Sequence, residues 1–222
     1  MFVMAKEILM QLNRTLAFAA VLFLGMSCYG HAGALEASQS ISAPPGFSAA
    51  CHKNSWMCSA TRRGSTGNQS LSLLRKVNAS VNGSVKPMED ADNYGVAEKW
   101  TLPANGRGDC EDYAMLKMKR LIEAGFGSDR LALSVVLDRR GRNHVVLIAR
   151  MPNGDYVLDN QVGAVKPWMS TGYTFLARQS FVHKRTWQVA LVGPEARRIA
   201  NRTKGRTTAS VVANSANTAE YR

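Results

Sequence analysis

The stretch LALSVVLDRRGRNHVVLIARMPNGDYVLD, residues 131–159, decides the fold. Three runs rich in β-branched and aliphatic residues (131–137, 144–150 and 155–159) are separated by DRRG and PNGD, segments that suit tight hairpins. An antiparallel meander is predicted, and the later runs YTFLARQSFV and TWQVALV add strands on the sheet's far side. Upstream, GRGDCEDYAMLKMKRLIEAG (106–125) has helical periodicity: Asp109 can cap it, Ala114, Met118, Leu121 and Ile122 share a face, and Gly125 ends it. A weaker helical period starts at Leu71, Leu74 and Val77 and fades near Asn82-Gly83. The segment between the two helices reads as loop, with Trp100 as its large apolar anchor. A helix packed on an antiparallel sheet makes the fold class α+β.

The ends differ from this middle. Lys6 and Arg14, an apolar run over 16–24 and the small residues Ala32-Gly33-Ala34 form the pattern of an export signal, so 1–34 is expected to be removed. A lipoprotein signal would need Leu three residues before Cys28, where Gly25 stands. The mature chain is then expected to be periplasmic or secreted. Residues 35–68 are rich in Ser, Gly and Ala and are read as a flexible N-terminal arm. Residues 69–196 form the folded domain, and 197–222 a basic disordered tail.

Net charge is +12, and the signal carries only Lys6 and Arg14 against Glu7. A field of that sign favours acidic partners. Nucleic acid is set aside, because the charge is dispersed, no nucleic-acid-binding motif accompanies it, and export removes the ligand. Loss of Cys28 with the signal leaves Cys51, Cys58 and Cys110 in an oxidising compartment. A short disulfide between Cys51 and Cys58 is expected; the alternative is a pair of free or metal-bound thiols beside His52. Either way Cys110 stands alone.

Four residues before Ala114, Cys110 falls on the core side of the helix's first turn, where unpaired N–H groups and the positive dipole end favour a thiolate. His144, at the start of the second strand, is the candidate base. Alternation places His144 with Val146 and Ile148, and Asp159 with Val157. A hairpin loop of two or four residues puts Asp159 opposite His144 or one diagonal step away, close enough to fix the imidazole tautomer; an odd loop puts it on the other face. Taken singly, the three have plainer readings as a core thiol, a structural histidine and a strand-ending turn.

Together, NYGVAEKWTLP, GRGDCEDYAMLKMKRLIEAG, NHVVLIAR and YVLDNQ resemble the bacterial transglutaminase-like cysteine peptidase family over about residues 71–187. The resemblance implies a papain- and transglutaminase-like fold, with Cys110 as nucleophile, His144 as general base and Asp159 as orienting acid. It departs in a short His-to-Asp loop, in Glu98 where Asp is usual, and in basic tails. LapG-type members of that family are periplasmic proteases that bind calcium and clip surface adhesins under a membrane receptor. The resemblance therefore implies Asp109 and Glu111 as Ca2+ ligands, a protein substrate such as an acidic surface adhesin, and a possible membrane-receptor regulator. Asp109, Glu111 and Asp112 beside a thiolate would raise its pKa, and a hard dication would cancel their charge; ordinary first-turn acids are the competing reading. The expected activity is a monomeric cysteine endopeptidase, with acyl transfer to amines and a non-catalytic basic binding module as alternatives.

Overall fold

A computed structural model describes residues 33–60 and 70–202. The signal segment to residue 32, residues 61–69 of the expected arm and residues 203–222 of the expected tail lie outside the described residues. In chain order the elements are β1 (Ser40–Ile41), α1 (Phe47–Lys53), α2 (Leu71–Ser84), β2 (Lys86–Pro87), α3 (Asp90–Tyr94), β3 (Arg107–Gly108) and α4 (Cys110–Glu123). Then come β4 (Leu131–Leu137), β5 (Asn143–Met151), β6 (Gly154–Leu158), β7 (Lys166–Pro167), β8 (Thr174–Gln179), β9 (Trp187–Val192) and α5 (Ala196–Asn201).

Seven strands form one sheet in the order β1-β9-β8-β4-β5-β6-β7, every pair antiparallel. The meander β4-β5-β6 sits at its centre as expected, and β8 and β9 extend it beyond β4. Alternation divides the core in two. Leu131, Leu133, Val135, Val145, Leu147 and Leu158 pack with Leu74, Val77, Met115, Met118 and Leu121 of α2 and α4. Ala132, Val136, Val146, Ile148 and Val157 pack on the other face against Phe175 and Phe181.

The β5–β6 hairpin turns through Pro152-Asn153, pairing Met151 with Gly154 and Leu147 with Leu158. Opposed residue numbers therefore sum to an odd total, so His144 and Asp159 share a face one diagonal step apart.

Residues 35–60 are not a flexible arm. Leu35, Phe47, Cys51 and Met57 are each at most 1% exposed; β1 pairs with β9, and Phe47 meets Trp100 and Trp187 edge to face. Four well-spaced apolar anchors hold a segment whose average composition is polar, a distinction that composition alone does not make. Cys51 and Cys58 form the expected disulfide, and Cys110 is free. At the other end α5 continues past 196, with Ile199 buried, so the fold runs beyond the expected start of the tail. The expected loop between the helices gains α3 and a parallel β2–β3 pair. Trp100 is buried there, as expected.

Candidate active site

Helix α4 begins at Cys110 because Gly108 lets the chain pass close over its first turn. A Cβ on Gly108 would come within 2.6 Å of Asp112 Oδ2 and 2.7 Å of Asp112 Cβ. Asp109 occupies the N-cap position, but its carboxylate makes no capping bond, contrary to the expectation that it caps the helix. The sulfur of Cys110 accepts the N–H of Val145 at 3.4 Å, which brings the helix tip against the peptide that follows His144. The thiol itself donates to Glu111 Oε2 at 3.2 Å.

His144 is buried, and its Nε2 lies 2.8 Å from Asp159 Oδ1. Gln161 Nε2 donates to Nδ1 at 3.3 Å, so Nδ1 is an acceptor and the ring proton sits on Nε2, facing the carboxylate. Asp159 also accepts from Tyr173 Oη at 2.5 Å and from the Gln161 N–H at 2.9 Å. Burial pushes its carboxyl up, but the bonds and charge of His144, with Tyr173 and Gln161, outweigh that and hold it below the ordinary carboxylate range.

Behind Asp159, Asn78 Oδ1 accepts its N–H and Asn78 Nδ2 donates to Gly163 O, while Asn82 Nδ2 donates to Asp159 O. Helix α2 thus clamps the turn after β6. Tyr173, Gln161, Asn78 and Asn82 were not singled out from sequence; a polar Asn78 on the buried face of α2, between Leu74 and Val81, was the available signal.

Cys110 and His144 line one cleft of about 570 Å³, with Gln161 and Tyr173. Burial, then Glu111, then Asp109 push the Cys110 thiol well above its ordinary value.

Those two acids belong to a larger group. Oxygens of Asp90, Asp109 and Asp112 lie within 4.8 Å of one another, as do those of Asp90, Glu98 and Glu111. Asp90 Oδ1, Asp109 Oδ1, Glu111 Oε1 and Asp112 Oδ2 are buried with no hydrogen-bond partner among the described residues. Burial and mutual repulsion raise Asp109 to about 6, Glu98 to about 7 and Asp112 to about 8, and Glu111 well above its ordinary value. Clustered, orphaned carboxylate oxygens are a donor set that fits a hard dication. Of these acids sequence reasoning assigned only Asp109 and Glu111 as ligands.

The family profile described as bacterial transglutaminase-like cysteine proteinase (BTLCP) matches residues 37–193. The chain belongs to that family. This member of the transglutaminase-like cysteine proteinases is a cysteine peptidase with the family's mixed helix and antiparallel-sheet fold. Among solved structures, Legionella pneumophila LapG is 23% identical over 52% of this chain and 67% of that chain, with a TM-score of 0.44. Its calcium-bound form is 19% identical over 66% of this chain and 80% of that chain, with a TM-score of 0.47. The EGTA-treated form is 24% identical over 48% and 61%, with a TM-score of 0.42. No curated protein matches the chain. Among the described residues no helix is long and apolar enough to cross a membrane.

Proposed function

We propose that this transglutaminase-like proteinase hydrolyses peptide bonds through Cys110, His144 and Asp159. The observation that carries the reading is the 2.8 Å contact between His144 Nε2 and Asp159 Oδ1, which keeps the ring proton on Nε2, so that Nδ1, once released by the Gln161 amide, offers its lone pair as a base in the cleft that holds the sulfur. Nδ1 takes the thiol proton, and sulfur attacks the scissile carbonyl. The imidazolium then protonates the leaving amine, and water, deprotonated by His144, resolves the thioester. The Cys110 N–H at the helix start is the default oxyanion donor. Replacing Cys110 by Ala is expected to abolish cleavage of an unfolded protein such as casein while the melting temperature stays within a few degrees. Retained turnover would overturn the assignment.

The acid group supports a calcium site in which Asp90, Glu98, Asp109, Glu111 and Asp112 hold the ion. A bound dication supplies positive charge that offsets these carboxylates. Offsetting the charge of Glu111 and Asp109, and loosening the hydrogen bond the thiol now donates to Glu111, would lower the thiol pKa from its raised value. Chelation is expected to slow alkylation of Cys110 at neutral pH; an unchanged rate across the pH range would remove the reason for the ion.

The export pattern of residues 1–34 and the basic charge support a periplasmic or secreted enzyme acting on an acidic protein, with release of a surface adhesin under a membrane receptor as the biological setting. Comparing surface and culture-fluid proteins from cells with wild-type enzyme and with Cys110→Ala tests this. An adhesin confined to the cell surface only in the variant is the expected result, and identical fractions would refute it.

A further inference from the structure

The cleft is lined beside His144 by an arginine-rich turn. The turn joining β4 to β5, Asp138-Arg139-Arg140-Gly141-Arg142, lies along it and is separated from His144 by Asn143 alone. Asp138 closes this turn. Its Oδ1 accepts the N–H groups of Arg140 and Arg142, and its Oδ2 takes Nε and one terminal nitrogen of Arg142 at 2.9 and 2.8 Å. The turn's single carboxylate is thereby committed to Arg142. Arg139 is anchored by Nε donating to Thr171 O at 2.9 Å, which still leaves its terminal nitrogens. Arg140 is exposed and bonds Asp138 only through its backbone. Among the described residues, neither the Arg139 nor the Arg140 guanidinium has an ion-pair partner, and both residues line the cleft near His144; Glu89, within electrostatic reach of Arg142, and Asp109 line it as well.

Chemistry orients a substrate relative to His144. The imidazole must protonate the departing amine, so the chain on the C-terminal side of the scissile bond leaves over the wall that carries His144. We infer that Arg139 and Arg140 form a subsite for acidic side chains of the substrate within about three residues C-terminal to the cut, a span of roughly 10 Å of extended chain. A guanidinium binds carboxylate through paired N–H donors, and the basic field of the whole chain steers such a peptide in.

This subsite rests on the hydrolytic reading above, and one experiment separates the two. A chymotryptic peptide library is digested with wild-type protein, with Cys110→Ala, and with Arg139→Glu/Arg140→Glu, and the cut sites are read by mass spectrometry. Wild type is expected to enrich Asp and Glu in the first three positions after the cut by roughly two- to fivefold per arginine engaged, the range for partly exposed ion pairs. The double reversal is expected to lose that enrichment and favour Lys or Arg there. Should the double variant fail to fold, Arg140→Gln alone, at an exposed position, is expected to reduce the enrichment. Wild-type cuts without primed-side acids, or a profile unmoved by either variant, would overturn the subsite while leaving the peptidase intact. No cut dependent on Cys110 would overturn the hydrolytic reading and the subsite with it.

Discussion

His144 is fixed from both ring nitrogens, and the two contacts have different purposes. Asp159 holds the proton on Nε2, and Gln161 occupies the lone pair on Nδ1 that the proposed chemistry gives to the thiol. Asp159→Asn replaces a charged acceptor by an amide and permits the wrong tautomer, so kcat is expected to fall roughly 100- to 10,000-fold with little change in KM. Tyr173→Phe removes one bond to Asp159 Oδ2 and is expected to lower kcat/KM about tenfold, the equivalent of one charge-assisted hydrogen bond. Steady-state rates on one peptide measure both. The placement of Cys110, His144 and Asp159 was legible from sequence because a strand's period of two and a helix's period of 3.6 each fix a face. Tyr173 was not, because its contact with Asp159 depends on the path between β7 and β8, which no local pattern sets.

At the scale of elements, the tip of α4 depends on the glycine two residues before Cys110. Gly108→Ala places a methyl group against Asp112, inside the first turn, and is expected to cost about 1 to 3 kcal/mol in urea unfolding and to depress activity as the helix tip shifts. The meander and both long helices were readable because their apolar residues repeat over many positions. Residues 35–60 were not. Helix α1 has seven residues and β1 two, too few for a period to emerge, and their order comes from tertiary anchors such as Phe47 between two tryptophans. Only part of the acid group was visible for the same reason. Asp109 and Glu111 flank the cysteine in sequence, whereas Asp90, at the start of the short helix α3, and Glu98, in the loop after it, are brought in by a path the sequence does not dictate.

Across the whole molecule, buried charge sets how stability responds to ions and pH. An ion that binds only the folded acid group adds RT ln(1 + [L]/Kd), so calcium at about 100 times Kd is expected to add about 2.7 kcal/mol and raise the melting temperature; EGTA should reverse this. Asp90→Asn should remove most of the calcium response, and no response in wild type would exclude the site. Lys117, 1% exposed within α4, has its amine lowered to about 7 by burial, against the pull of Asp159. The unfolded chain binds that proton up to about pH 10.4, so stability is expected to rise between about pH 7 and 10 as the folded state sheds it first. Lys117→Met should gain roughly 3 to 5 kcal/mol at about pH 6, with the gain shrinking toward pH 10 in urea melts.

The most direct test is the rate of Cys110 carbamidomethylation by iodoacetamide between about pH 5 and 9, with calcium present, in wild type and in His144→Ala. A paired thiol and imidazole predict a wild-type rate that plateaus below the ordinary thiol pKa of about 8.5, and a variant whose reactivity appears only above it. Superimposable profiles would contradict the pairing on which the proposed chemistry depends.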